Sequence, residues 1–178
     1  MRVMKHYPLP EKYRFNKSQN SGLFYENRKD RFHCGVDVYA PRKTPVYAVD
    51  DGVIISTSTF TNPDQNEYWN VTFEIVLFDG KKFYYRYAEL DEILVKKSDH
   101  ITAGQKIGLV GQVLNPLKIK ENHPEYIKQL IKNNKVSMLH FEMYTCNPIN
   151  SDHYQGGNWF SGGKPRGLID PTKHLESL

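Results

Sequence analysis

Residues Arg31 to Val53, RFHCGVDVYAPRKTPVYAVDDGV, contain the pattern from which the fold is predicted. Its β-branched runs begin at Val36 and Val46. These runs are broken by residues that interrupt or turn a strand, namely Pro41, Pro45 and Gly52. Runs bounded in this way predict short strands joined by tight turns.

A hairpin is the clearest local pattern downstream of that stretch. Residues 71–78 alternate, Asp79 and Gly80 follow, and residues 81–90 return. Asp-Gly between two alternating runs predicts a two-residue type I′ turn, because both central positions need a positive φ. On the returning strand, a period of two predicts one face shared by Phe83, Tyr85, Tyr87 and Glu89.

A helical pattern follows at residues 124–134. Apolar residues at positions 126, 127, 130 and 131 form one face of a helix, and the proline at its start suits a first turn. Residues 137–144 return to a strand, on which His140 lies on the face opposite to Leu139 and Phe141. The number of short strands and turns predicts a mainly β fold, an antiparallel sandwich or barrel with one inserted helix.

Length and composition bound the class of protein. At 178 residues the chain has the size of one domain, and we divide it into a polar N-terminal arm, residues 1–30, and a domain, residues 31–178. The 24 Lys and Arg against 20 Asp and Glu give a net charge of +4, too small a bias to predict a nucleic-acid partner. No apolar run approaches the roughly 20 residues that cross a bilayer, so no transmembrane segment is predicted.

Two features leave alternatives open. Residues 1–10 contain no apolar leader, so we expect a cytoplasmic protein as the chain stands, or a periplasmic or extracellular one if a leader has been removed. Cys34 and Cys146 are either free thiols or one bridge, because two cysteines do not define a disulfide framework.

Two of the seven histidines stand out by their context. His33 is followed four residues later by Asp37, and Gly35 allows a turn between them. His140 lies in the middle of a predicted strand, so a rigid element would hold its ring. Two imidazoles and one carboxylate suit Zn²⁺ with an open fourth position for water. On spacing alone, however, a half-buried, hydrogen-bonded histidine is the commoner explanation.

In its longer context, the stretch from Arg31 to Val53 resembles the metal-binding signature of the lysostaphin-type (LytM-like) zinc endopeptidases, which cut peptide bonds in bacterial cell-wall peptidoglycan. Four further segments resemble that family in order: YAEL at 87–90, ITAGQKIGLVG at 101–111, MLHFE at 138–142 and DPTKHL at 170–175. The resemblance implies a compact antiparallel sandwich-barrel of the duplicated hybrid motif type, with zinc in a groove. It also implies three metal ligands, His33, Asp37 and His140.

Both catalytic histidines of that family are replaced in this chain. The histidine of its Tyr-x-His-Leu segment is Glu89 here, and the first histidine of its His-x-His pair is Met138. A thioether is neither a base nor a useful donor, so Met138 cannot take over that role. Glu89 has three possible roles: a general base, a fourth metal ligand, or the partner of an Arg or Lys side chain. Tyr87 is a possible oxyanion donor, although a tyrosine on a sheet face more often packs.

The predicted helix lies in an insertion, residues 112–136, where the family has a short loop. We expect the insertion either to be a plain surface excursion, or to narrow the groove, cap it, or dock another hydrolase or protein. His123 in the insertion and His153 in the glycine-rich loop after it are candidates for a replacement imidazole.

The sequence therefore supports two main functions. Loss of both histidines favours a zinc-binding, peptidase-like pseudoenzyme that recognises peptidoglycan or a similar peptide with impaired catalysis. The alternative is an active zinc metalloendopeptidase that uses Glu89 as general base on cell-wall peptides. A zinc-stabilised structural domain is the third and least specific hypothesis.

Overall fold

The computed structural model describes residues 5–160 and 162–178, so the first four residues of the predicted arm lie outside it. The strands are β1 (Arg31–His33), β2 (Val36–Tyr39), β3 (Pro45–Tyr47), β4 (Gly52–Thr61), β5 (Thr72–Phe78), β6 (Tyr84–Ile93), β7 (His100–Ile101), β8 (Lys106–Gln112), β9 (Ser137–Tyr144), β10 (Tyr154–Gln155), β11 (Asn158–Phe160) and β12 (Leu168–Ile169). The helices are α1 (Glu125–Lys132) and α2 (Thr172–Glu176), with 3-10 turns at Glu11–Tyr13 and Pro116–Lys118.

The strands form one large antiparallel sheet and one small one. The large sheet has the order β12-β9-β8-β6-β5-β4-β7, with β2 added to β9 and β3 added to β8. Strand β9 also pairs with β6, so the sheet curls into a half-barrel around it. The small sheet has the order β1-β11-β10. The predicted mainly β, antiparallel fold class is confirmed.

Strand β9 separates two apolar clusters. Its side chains Leu139, Phe141 and Met143 enter the main core, which fills the inside of the large sheet. Its other face carries His140, which is buried, and Tyr144, which belongs to a second, smaller cluster beneath the small sheet. The predicted alternation along this strand is therefore observed, and it leaves a buried polar layer between the two clusters.

The predicted hairpin forms, but its turn is longer than expected. Phe78 pairs with Tyr84, so five residues, 79–83, connect β5 to β6. The Asp79 carboxylate accepts hydrogen bonds from the backbone N–H groups of Lys81, Lys82 and Phe83, at 2.8–3.0 Å. This side-chain cap stabilises a wider loop, which explains why the two-residue turn predicted from Asp-Gly is wrong.

A β-bulge on β6 corrects the expected face of Glu89. Phe73 pairs with Leu90 and Ile75 pairs with Tyr87, so β6 carries one extra residue between these pairs. Tyr87 and Leu90 both enter the main core, whereas Glu89 has a φ of 62°. Glu89 therefore does not share the face of Tyr87, because the bulge interrupts the period of two.

The N-terminal arm is built into the domain. Its side chains Tyr7 and Leu9 are buried in the main core. Its backbone runs beside β3, where the N–H of Tyr47 donates to the carbonyl of Pro8 at 2.8 Å. The arm therefore contributes to the core instead of lying on its surface.

The inserted helix is observed as α1, close to its predicted bounds. The insertion packs on the loop of residues 62–70, where the Tyr68 ring meets the His123 ring at 5.0 Å. Docking of another protein on the insertion stays a prediction.

The short α2 was not predicted. Within the described residues, no helix has the length and apolar character needed to span a membrane.

The first prediction concerns stability against acid. The ring of His174 stacks on Tyr85 at 5.4 Å, and no described residue bonds its buried Nε2. Burial, assisted by Lys5, lowers the pKa of His174 to about 4, although Asp79 acts in the opposite direction. An unfolded histidine binds its proton near pH 6.5, so unfolding takes up a proton between about pH 6.5 and 4.

We therefore expect the free energy of unfolding to fall as the pH is lowered through that window. The contribution of His174 should be on the order of 1–2 kcal/mol, since its partial exposure screens the effect. His174→Phe keeps an aromatic ring and removes the titrating group. The free energy of unfolding of this variant, measured by denaturant unfolding, should therefore fall less over the same pH range. Identical pH dependence in the wild type and the variant would contradict this expectation.

Candidate metal centre

A break between two strands brings the predicted ligands together. His33 ends β1 in the small sheet, and Asp37 lies in β2 of the large sheet. In the register of β2 with β9, Asp37 lies directly opposite His140. Gly35 lies in the break, where an added Cβ would come within 2.3 Å of the Phe141 carbonyl oxygen. The close approach of these two backbones therefore requires glycine at this position.

The three side chains form a tight, buried triangle. His33 Nε2 lies 3.0 Å from His140 Nδ1 and 3.1 Å from Asp37 Oδ1. His140 Nδ1 lies 2.9 Å from the same carboxylate oxygen. All three residues are at most 4% exposed, and each offers one ligand atom to a common point. This arrangement can hold a cation.

Hydrogen bonds on the far side of each ring select the nitrogen that faces the triangle. His33 Nδ1 lies 2.8 Å from the carbonyl oxygen of Leu23, which only accepts, so Nδ1–H donates and Nε2 faces inward. His140 Nε2 lies 2.7 Å from a carboxylate oxygen of Glu142, so Nε2–H donates and Nδ1 faces inward. Such outer partners are the usual means of orienting metal-binding imidazoles.

Glu142 is the centre of a buried polar network. Besides His140, the hydroxyls of Tyr144 and Tyr154 donate to its carboxylate at 2.7 and 2.8 Å. Arg86 Nη1 also donates to it at 3.2 Å, and the Arg86 guanidinium lies 4.1 Å from the centre of the Tyr154 ring. Burial would raise the pKa of Glu142, but Arg86 and His140 outweigh that effect and hold it at about 2. Glu142 is therefore a permanent anion behind the ring of His140.

The two carboxylates act on the charge of the cluster. Burial lowers the pKa of His140, but hydrogen bonds to Asp37 and Glu142 outweigh burial and raise it to about 10. For Asp37, burial raises the pKa, but the neighbouring imidazoles hold it well below its usual range. The site is thus adapted to positive charge between the three side chains.

The N-terminal arm also holds Asp37 in place. Arg28 Nη2 donates to Asp37 Oδ2 at 3.2 Å, which leaves Oδ1 directed to the imidazoles. The backbone N–H of Asp37 donates to the Gly22 carbonyl at 2.8 Å. Together with Leu23, the arm thus holds two of the three predicted ligands.

Glu89 lies beside the cluster as a carboxylate without a fixed partner. The residue is half-buried, and no described residue bonds its buried Oε2. Burial and the nearby Asp37 raise the pKa of Glu89 to about 7, while His140 and Arg28 act in the opposite direction. Among the three roles left open by the sequence, a fixed pair with Arg or Lys is not observed among the described residues.

Three further residues considered from the sequence lie elsewhere. Tyr87 is fully buried in the main core, where its hydroxyl accepts a hydrogen bond from the Val49 N–H at 2.9 Å. His123 packs on Tyr68, and its Nδ1 accepts from the backbone of Lys120. Neither side chain is brought to the metal centre, and His153 is not part of the ligand triangle either.

The support of the site was largely missed by sequence reasoning. Glu142 had a usable signal, because it lies two residues after His140 and therefore on the same face of the strand. Arg28 and the carbonyl of Leu23 had none, since the arm shows no periodicity and a backbone acceptor carries no side-chain signature.

The three candidate ligands lie within a segment that matches a known protein family. The model of peptidase family M23 matches residues 31–152. The chain belongs to peptidase family M23.

Relatives and solved structures agree with that assignment. The peptidoglycan DD-endopeptidase ShyA of Vibrio cholerae is 32% identical over 111 residues, a match that spans 62% of this chain and 24% of the relative. A zinc-containing peptidase from Vibrio cholerae has a TM-score of 0.52 and 27% identity, over 80% of this chain and 36% of that one. Lysostaphin from Staphylococcus simulans shares the fold, with a TM-score of 0.51 and 20% identity over 99% of this chain and 51% of that one.

The second prediction uses two neighbouring glycines. Gly157 (φ 81°) lies against the ring of His140, where an added Cβ would come within 2.9 Å of Nε2, whereas nothing lies within 4 Å of a Cβ added at Gly156 (φ 49°). Alanine at either position should lower the free energy of unfolding by roughly 1–2 kcal/mol, because its backbone has to adopt a left-handed conformation. Only Gly157→Ala also displaces His140, which should add about 1–3 kcal/mol.

Denaturant unfolding of the metal-free variants measures the difference, with Gly156→Ala as the matched control. Gly157→Ala should also bind divalent cations more weakly, because its His140 ring is pushed from the triangle. Equal stability and equal cation affinity of the two variants would show that the contact of Gly157 with His140 is unimportant.

Proposed function

We propose that this chain is a zinc-dependent endopeptidase domain that hydrolyses peptide bonds in peptidoglycan, with Glu89 as general base. The observation that carries this proposal is the convergence of His33, Asp37 and His140 beside a buried, unpaired carboxylate oxygen of Glu89. Membership of peptidase family M23 supports the reaction class.

The donor set fits zinc. Two imidazole nitrogens and one carboxylate oxygen are a common catalytic zinc set, which leaves a further position open. The three ligand atoms are 2.9–3.1 Å apart. A tetrahedral site with bonds near 2.0–2.1 Å has edges of roughly 3.3–3.4 Å, so an opening of a few tenths of an ångström accommodates the ion. When bound, zinc would supply Lewis-acid polarisation of the scissile carbonyl and activation of water.

The other chemistry falls to residues of the chain. Glu89 would accept a proton from the water that attacks the scissile carbonyl carbon and return it to the leaving amide nitrogen as the C–N bond breaks. Without a cation, burial and Asp37 raise the pKa of Glu89. A bound dication would lower that pKa again, so Glu89 would be present as the carboxylate that a general base requires. The bulge at Glu89 supports this role, since strained backbone is often found where a side chain is aimed into a site.

Peptidoglycan is the substrate class that the relatives favour. The name of ShyA describes a peptidoglycan endopeptidase, and its match covers 62% of this chain. Because that match covers only a quarter of the relative, the bond that is cut and the partners of the whole protein are part of the proposal.

A second candidate is a binding domain that retains zinc and peptidoglycan recognition without turnover. Met138 favours it, because a thioether occupies the position of a catalytic histidine in the lysostaphin-type pattern and cannot donate a proton. In that case the double variant Glu89→His with Met138→His should gain cleavage activity. That gain would show that only the two catalytic histidines are missing from the site.

The third prediction is zinc binding itself. Wild-type protein prepared without chelators should contain about one zinc per chain, and His140→Ala should lose it. Glu142→Gln should weaken zinc binding by about 10–100-fold, because the outer partner of His140 is then neutral. The exposed His100, on β7, provides the control variant His100→Ala, which should retain zinc. Equal zinc in wild type and His140→Ala, by elemental analysis, would exclude this metal centre.

The fourth prediction separates base from ligand at Glu89. Glu89→Gln should lower kcat on purified peptidoglycan or its cross-linked peptides by about 10²–10⁴-fold while the zinc content stays unchanged. Glu92→Gln on the same strand, whose side chain is 51% exposed, is the matched control and should cleave normally. Cleavage unaffected by Glu89→Gln would refute the base assignment, and loss of zinc would assign Glu89 as a ligand.

A further inference from the structure

The carboxylate of Glu142 accepts four hydrogen bonds, two on each oxygen. On Oε1 the donors are the His140 ring N–H at 2.7 Å and the Tyr154 hydroxyl at 2.8 Å. On Oε2 they are the Tyr144 hydroxyl at 2.7 Å and the Arg86 guanidinium at 3.2 Å. An ionised carboxylate has about four lone-pair sites, so every site is in use and the plane of the carboxylate is fixed.

Three of these four donors belong to the large sheet. Arg86 lies on β6, and His140 and Tyr144 lie on β9 together with Glu142 itself. Tyr154 is different, because it lies on β10 of the small sheet. Among the four donors, its hydroxyl is therefore the one that joins the two sheets.

The small sheet also carries one of the candidate ligands. His33 pairs with Asn158 and Tyr154 pairs with Trp159, so His33 and Tyr154 point to opposite faces of this sheet. On one face the sheet supplies a ligand, and on the other its Tyr154 hydroxyl bonds the carboxylate behind the His140 ring. Ties on both faces limit how far the small sheet can tilt.

The turn of the β10–β11 hairpin lies against the same imidazole. Gly156 and Gly157 connect the two strands, and the N–H of Cys34 donates to the Gly157 carbonyl at 2.8 Å. The backbone of Gly157 is so close to His140 that an added Cβ would come within 2.9 Å of Nε2. The position of the hairpin therefore determines the space that is left for the ring.

We infer that Tyr154 is a positioning residue of the candidate metal centre, whose hydroxyl ties the small sheet to Glu142 and so sets the position of His33 relative to His140. This inference rests on the proposed function for the cation that the ligands hold. Removal of the hydroxyl leaves the ring over the Arg86 guanidinium, 4.1 Å away, but frees the small sheet to move relative to β9. The three ligand atoms, which lie 2.9–3.1 Å apart, would then no longer be held at one spacing.

Two tyrosines provide a matched pair of variants for the test. Tyr154→Phe and Tyr144→Phe each remove one hydroxyl from Glu142 and retain the ring, but only the first removes a bond between the sheets. In chelator-treated protein, the backbone N–H of Cys34 in Tyr154→Phe should exchange with solvent about tenfold faster, because the hairpin that carries its acceptor opens more often. Tyr144→Phe should exchange this N–H at the wild-type rate, and thermal melting confirms that both variants are folded.

The second readout is the affinity for Co²⁺, which takes the place of zinc and reports the geometry of its ligands through its visible absorption. Tyr154→Phe should bind Co²⁺ about tenfold more weakly than the wild type and Tyr144→Phe, and with an altered absorption spectrum, because two of the ligands are no longer held together.

Equal exchange and equal Co²⁺ affinity of the wild type and Tyr154→Phe would overturn the inference. Equal losses in Tyr154→Phe and Tyr144→Phe would overturn it as well, because the tie between the sheets would then be unimportant. Absence of Co²⁺ binding by the wild type would refute the proposed function, whereas the exchange rates would still decide whether Tyr154 sets the position of the small sheet.

Discussion

The register between β2 and β9 determines whether the candidate metal ligands can meet. Asp37 lies opposite His140 in this register, and a slip of one residue would turn one of the two side chains to the other face of the sheet. The register is fixed by apolar neighbours, because Val36 and Val38 enter the main core opposite Phe141 and Leu139. Packing of the core and assembly of the site are thus specified by the same strand pair.

That strand pair buries the ionisable side chains Asp37, His140 and Glu142, and the arrangement of their charges explains how the domain tolerates them. Isolated buried charges cost several kcal/mol each, so they are found paired. Here His140 lies between the carboxylates of Asp37 and Glu142, and each carboxylate has an arginine on its outer side, Arg28 and Arg86. Alternation of sign across the layer lets each group stabilise the next.

The sequence predicted the fold class and the inserted helix for identifiable physical reasons, and the structure brings the three candidate ligands together. Strand alternation and helical periodicity are local patterns, whereas the candidate ligands His33, Asp37 and His140 came from the family resemblance. The face of Glu89 was predicted wrongly, because a bulge depends on the pairing of two strands and leaves no local signature. The wider turn at Asp79 was missed because its side chain competes with the backbone for the same N–H groups.

The contacts of the N-terminal arm with His33 and Asp37 show where the domain begins. The family match begins at residue 31, yet the acceptor for the His33 ring is the carbonyl of Leu23 and the guanidinium on Asp37 belongs to Arg28. A fragment trimmed to the matched segment would retain all three candidate ligands and still lose the groups that orient two of them. The structural unit therefore extends upstream of the segment that matches the family, and expression boundaries should be chosen from contacts instead of from the alignment.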